Sequence, residues 1–82
     1  MYFTYILQSI NHPDQYYYGS TSDIEKRFNQ HNNGESYHTS KYKPWKLLFY
    51  AAFETRKLAD DFEKYLKNSS GRAFARKRLI DT

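Results

Sequence analysis

Three consecutive tyrosines closed by a glycine, Tyr16-Tyr17-Tyr18-Gly19-Ser20, restrict what this chain can fold into more than any other stretch. Tyrosine favours strands, and successive side chains of a strand leave on opposite faces. Tyr17 must therefore oppose Tyr16 and Tyr18. One face of such a strand can be core and the other a working surface. Gly19 lets the chain turn or admits a close neighbour.

With 82 residues and no visible internal break, the chain is expected to form one domain over 1–82, near the size where a single core is marginally stable. Aromatics make up 20% of it, so a few large rings are expected to fill that core. The absence of cysteine removes disulfide frameworks and cysteine-based zinc sites and fits a cytoplasmic protein. No apolar run has the length of a membrane span, and Met1-Tyr2-Phe3-Thr4 lacks the pattern of a signal peptide, so no membrane partner is expected. A formal charge of +4 tilts the chain modestly toward polyanionic partners.

Tyr2 to Ser9 reads as a strand with Phe3, Tyr5 and Leu7 on one face and Tyr2, Thr4 and Ile6 on the other. The loop residues Asn11, Pro13 and Asp14 then return the chain through Tyr16 to Ser20 as an antiparallel hairpin, with Tyr5 and Tyr17 on neighbouring strands. Ser22-Asp23-Ile24-Glu25 has the form of a capping box, predicting a helix from Ser22 to about Asn32 that stops at Asn33-Gly34. Ile24, Phe28 and His31 form its inner stripe, Arg27 lies on the stripe's edge, and Lys26, Asn29 and Gln30 face outward.

Gly34 to Lys43 reads as a polar loop in which Lys41 and Lys43 mix with aromatics in a way that suits nucleic-acid contacts. The run Trp45 to Phe53 predicts a strand apolar on both faces and hence covered on both sides. Thr55 is the expected N-cap of a helix from Arg56 to about Lys67, with Leu58, Ala59, Phe62, Tyr65 and Leu66 buried and Glu63 bordering the core. Asn68 to Gly71 breaks it. A last helix from Arg72 to Ile80 aligns Ala73, Phe74, Lys77 and Ile80 and carries the densest positive patch, Arg72, Arg76, Lys77 and Arg78. The order β-β-α-β-α-α describes an α+β domain with a small three-stranded, mainly antiparallel sheet flanked by helices.

Phe3-Thr4-Tyr5-Ile6-Leu7, Tyr16-Tyr17-Tyr18-Gly19-Ser20, Asp23 to Phe28 with His31, and Phe62 to Lys67, in that order, resemble the GIY-YIG nuclease domain, and most closely its small stand-alone members. The resemblance implies that Tyr5 and Tyr17 are the two motif tyrosines, Arg27 the helix arginine, His31 a histidine found one turn later in many members, and Glu63 the metal-binding glutamate. It implies cleavage of DNA phosphodiesters with one divalent cation, Mg2+ or Mn2+. Phe3 stands where the first glycine of the motif would be, and Tyr18 replaces its isoleucine. Neither change removes a polar group.

The chemistry asks for the same kinds of group. Cleaving a phosphodiester requires charge stabilisation, an activated water and a stabilised leaving oxygen. Arg27 offers a planar fork to phosphate oxygens, and Glu63 offers a hard carboxylate to a magnesium ion that keeps most of its waters. A tyrosine base is the demanding part, since a phenol of ordinary pKa is only about one part in a thousand ionised at neutral pH. Tyr17 is the favoured base or water-orienting group, with Tyr5 in support. Damaged, branched or single-stranded DNA is the expected substrate. Cutting both strands from one site calls for a homodimer, two encounters, or a larger partner that recruits the domain. The same residues also suit a non-catalytic nucleic-acid-binding module, with sheet tyrosines stacking on bases and the basic last helix gripping phosphate.

Overall fold

The computed structural model describes residues 1–80. Strand β1 spans Tyr2–Ser9, β2 Tyr16–Thr21 and β3 Trp45–Phe53; helices α1 to α4 span Ile24–Asn32, Tyr37–Ser40, Arg56–Lys67 and Ser69–Arg78. The strands form one sheet in the order β2-β1-β3, with both pairings antiparallel. The α+β architecture is as the sequence implies, with one extra short helix, α2, inside the stretch that reads as a loop.

β1 is the central strand, and its middle residues Thr4, Tyr5, Ile6 and Leu7 are all buried. On one face Tyr5 and Leu7 meet Trp45, Tyr17, Ile24, Phe28 and Leu47. On the other Ile6 meets Leu66, Ala75 and Ile80, with Tyr16, Tyr18 and Phe62 packed around them. Helix α1 covers the first face, and α3 and α4 cover the second. Thr4, which points to the second face, donates its hydroxyl to the Ala59 carbonyl at 2.6 Å. That bond satisfies a buried polar group and sets α3 on the sheet.

β3 departs from expectation. It pairs only with β1, and Lys46, Tyr50 and Ala52 are exposed. α1 is too short to cover the whole first face, so Phe3 and Tyr50 meet edge to face near its open end, with ring centroids 6.2 Å apart. A register shift opposite Ile6 and Leu7 brings Leu47 and Trp45 to the α1 face and Phe49 to the other.

The helix ends also differ in detail. Asp23, not Ser22, is the N-cap of α1, its Oδ1 accepting from the Lys26 amide at 3.1 Å. Carboxylate and hydroxyl cap equally well, and the extended backbone at Asp23 decides between them. Leu58 is 51% and Tyr65 37% exposed, so only Ala59 and Leu66 of the expected α3 stripe are fully buried. Asn68 ends α3 and caps α4 at once, accepting from the Gly71 amide at 2.8 Å, so the break is one residue rather than four. Helix α4 then buries Gly71, Ala75 and the following Ile80, while Ala73, Phe74 and Lys77 face out. Docking against Ile6 and Leu66 selects the row of Gly71 and Ala75 as the inner face rather than that of Ala73 and Lys77. Gly71 fits because any Cβ there would collide with the Tyr65 carbonyl. Among the described residues no helix is long and apolar enough to cross a membrane.

Candidate active site

Pairing places Gly19 opposite Tyr5 and Tyr17 opposite Leu7. Tyr5 and Tyr17 therefore share a face, and the absent side chain at Gly19 leaves the space that the Tyr5 ring fills. A Cβ at Gly19 would lie 2.6 Å from Tyr5 Cζ and 2.9 Å from Tyr17 Cε2. The two phenol rings sit with centroids 6.2 Å apart. Tyr5 is 1% exposed, whereas Tyr17 is half-buried.

Helix α1 brings His31 beneath this pair, with its ring centroid 4.8 Å from Tyr17 and 5.9 Å from Tyr5. His31 is fully buried, and its Nε2 lies 2.9 Å from the Tyr5 hydroxyl. Its Nδ1 lies 2.7 Å from Thr39 Oγ1. Burial, with help from the Arg27 charge, pushes the His31 pKa down to about 4, so the imidazole is neutral at physiological pH. His31, a catalytic candidate by sequence, is shut away from solvent and faces Tyr5 and Thr39.

Arg27, one turn before His31, lies half-buried at the rim. Burial opposes its charge, but the hydroxyls of Tyr5 and Tyr17 outweigh burial and raise its pKa. Its geometrically sound hydrogen bond runs from Nη1 to Gln30 Oε1 at 3.1 Å, so its influence on the phenols is one of near approach and charge. Gln30, expected to face outward, is thus a partner of Arg27. Burial and then the Tyr17 phenol push Tyr5 up to about 12, against the pull of Arg27, with a smaller rise from the Glu63 charge. At neutral pH only about one Tyr5 in 100,000 would be phenolate. Burial thus disfavours the Tyr5 phenolate.

Glu63 stands on α3, half-buried, on the side of the helix that carries Asp60. Asp60 anchors that side to β2 by accepting from the Ser20 hydroxyl at 2.7 Å. The Glu63 carboxylate accepts from Lys67 at 2.6 Å. Among the described residues no group of three His, Cys, Asp or Glu side chains is placed to hold a metal. One hard carboxylate fits a magnesium-like ion that retains its waters and does not fit zinc.

An open cleft of about 360 Å³ runs beside Arg27, bordered by Thr21, Ser22, Asp23, Lys26 and Gln30. The hollow on the outer side of α1 includes Asp23, Glu25 and Glu35 and is poorly suited to phosphate. Arg72 and Arg76 belong to α4 on the opposite face of the sheet, where they line a cleft of about 280 Å³ with Tyr16 and Tyr18. Burial raises the Tyr18 phenol, and the charges of those two arginines partly offset it. Lys77 and Arg78 are exposed on α4, and Lys41 and Lys43 are exposed between α2 and β3, with Lys41 over the Tyr42 ring at 5.6 Å. The basic candidates therefore lie on different sides of the molecule.

Thr39 was not legible as a site residue. It sits in a polar stretch, and no periodicity marks it for burial. Asn32, whose side chain donates to the Trp45 carbonyl at 3.1 Å, likewise ties α1 to the start of β3 without a local signal.

Two tyrosines on adjoining antiparallel strands, an arginine one helical turn before a buried histidine, and a glutamate on a later helix define a GIY-YIG fold and site. The chain belongs to the GIY-YIG family: the model of the GIY-YIG catalytic domain matches residues 1–78. It is similar to the structure-specific endonuclease subunit SLX1 of Debaryomyces hansenii, 34% identical over 82% of this chain and 21% of that protein. It is also similar to a UPF0213 protein of Clostridium perfringens, 35% identical over 82% of this chain and 71% of that protein, and to one of Vibrio campbellii, 38% identical over 70% and 56%. The chain thus spans about a fifth of the length of the fungal relative.

Proposed function

We propose that this domain is a divalent-metal-dependent endonuclease that hydrolyses DNA phosphodiester bonds. The observation that carries the proposal is the convergence of Tyr5, Tyr17 and Arg27 from two strands and a helix onto one corner, beside an open cleft. The two phenols favour the charged guanidinium, which suits Arg27 to bind a nonbridging phosphate oxygen and stabilise the charge that builds there. Tyr17, the more accessible phenol, orients the attacking water and takes its proton at the phenol oxygen. Tyr5 holds the geometry from below. Glu63 would hold a Mg2+ or Mn2+ ion, which when bound supplies charge neutralisation at the leaving oxygen. Lys67 must release the carboxylate for that role.

The names of the fungal relatives support branched or otherwise structured DNA as the substrate class and a partner subunit as the source of recruitment. A module that merely stacks sheet tyrosines on bases is less well supported, because Tyr5 is 1% exposed and has no free ring face to offer. The test is incubation of the pure protein with supercoiled and branched DNA and magnesium. Cleavage that a chelator stops, and that Glu63→Ala abolishes while leaving DNA binding largely intact, is the expected result. Undiminished cleavage by Glu63→Ala, or none by the wild type on any of these substrates, rejects the proposal.

A further inference from the structure

Helix α2 is four residues long, yet it delivers a fully buried hydroxyl to the centre of the molecule. Thr39 Oγ1 lies 2.7 Å from His31 Nδ1. The Thr39 carbonyl accepts the indole N–H of Trp45 at 2.9 Å, which pins α2 against the start of β3. The Thr39 hydroxyl donates to the Ser36 carbonyl at 3.4 Å.

A hydroxyl carries one proton. The Ser36 carbonyl also accepts the Thr39 and Ser40 amides; if the hydroxyl proton turns to it, Thr39 Oγ1 meets His31 as an acceptor and the hydrogen of the neutral imidazole sits on Nδ1. The bare Nε2 then accepts from the Tyr5 hydroxyl 2.9 Å away. The donors run Tyr5, His31, Thr39, and the Ser36 carbonyl accepts at the end.

We infer that Thr39 is a positioning residue that sets the tautomer of His31, turns the Tyr5 proton inward, and leaves the Tyr5 oxygen lone pairs free for Arg27. The inference rests on the proposed nuclease reading for its functional meaning. In the opposite tautomer Nε2–H would donate to Tyr5, and the Tyr5 proton would have to turn elsewhere. A guanidinium has only donors, so an outward proton on Tyr5 would compete with it. With the proton inward, Arg27 faces an acceptor at Tyr5, while Gln30 Oε1 holds its Nη1 at 3.1 Å. Gln30 holds one arm of the fork by a hydrogen bond, and the Tyr5 oxygen attracts it by near approach and charge.

Imidazole 15N NMR of the intact domain at neutral pH reads the tautomer without reference to activity. His31 is expected to carry hydrogen on Nδ1 and none on Nε2. Thr39→Val keeps the shape, removes the hydroxyl and should move the hydrogen to Nε2; Thr39→Ser should restore the wild-type signature. In the cleavage assay Thr39→Val should lower kcat on the order of tenfold with KM unchanged, and Thr39→Ser should recover it. An Nε2–H tautomer in the wild type, an unmoved tautomer in Thr39→Val, or a folded Thr39→Ser without the Nδ1–H signature overturns the inference. Should Thr39→Val fail to fold, the wild type and Thr39→Ser decide. A domain that cleaves nothing but shows this tautomer behaviour rejects the nuclease reading and retains the role of Thr39. An active domain with the other tautomer does the reverse.

Discussion

The Tyr5 hydroxyl lies 2.9 Å from His31 Nε2, and both side chains are shut away from solvent. The contact joins the central strand to α1 through a hydrogen bond rather than through apolar packing alone. It separates the two motif tyrosines into unequal partners: Tyr5 is fastened from below, while Tyr17 is left at the accessible edge.

Gly19→Ala tests how tightly this pair is built. The added methyl would sit 2.6 Å from Tyr5 Cζ and 2.9 Å from Tyr17 Cε2, so both rings must move. Overpacking of this kind costs about 1–3 kcal/mol. Urea denaturation should show that loss, and the near-ultraviolet circular dichroism of the tyrosines should change with it. Cleavage should fall more steeply than stability. A variant with wild-type stability and spectrum would mean that the Tyr5 ring is not held against Gly19.

His31 gives the fold a pH dependence whose sign follows from its neutral burial. Its folded pKa is depressed to about 4, below the ordinary 6.5, so between these values the unfolded chain binds a proton that the folded chain refuses. Stability from this residue is complete above the ordinary value and is lost as pH falls toward 4. The full difference is roughly 3 kcal/mol at most. Urea midpoints near neutrality and in mild acid should fall steeply for the wild type and less so for His31→Phe, which starts lower. Equal slopes in the two proteins would assign the effect to other groups.

Lys67 competes for the carboxylate proposed to hold the metal. Its ammonium lies 2.6 Å from Glu63, with side-chain exposures of 50% and 21%. Exposed pairs are worth about 0–1 kcal/mol, so Lys67→Met should lower the magnesium concentration for half-maximal cleavage by up to about fivefold. Titration of cleavage rate against magnesium measures this. A requirement that rises or stays the same argues against Glu63 as the ligand.

The basic face of α4 should contribute affinity without sequence preference. Replacing Arg76, Lys77 and Arg78 together with glutamine is expected to weaken DNA binding similarly across sequences. The dependence of log K on log salt should become shallower by up to about three, near one unit per lost phosphate contact. Fluorescence anisotropy at several salt concentrations reads both. Unchanged affinity and slope would remove this helix from the DNA surface.

The strands and helices α1 and α3 were legible because their signals are local. Alternation exposes Tyr2–Ser9 and Tyr16–Thr21 as strands, and Thr55 followed by the Ala59 and Leu66 spacing marks α3. The motif order also carries Tyr5, Tyr17, Arg27 and Glu63. Helix α2 was not legible, since four residues bear no periodicity and Ser36 makes no side-chain cap. Nor was the inner face of α4, because docking against Ile6 and Leu66, not a local pattern, turns Ala75 inward and Phe74 outward.

By itself the sequence determined which residues of a strand alternate, and hence that Tyr17 opposes Tyr16 and Tyr18; this follows from backbone geometry over a few residues. Only the tertiary structure decided that Tyr5 is buried and Tyr17 accessible, that His31 lies beneath both phenols shut away from solvent, and that Thr39 reaches it. Those outcomes depend on desolvation and on hydrogen bonds between residues far apart in the chain, such as the 26 positions separating Tyr5 from His31. No local pattern encodes the environment that sets a group's proton.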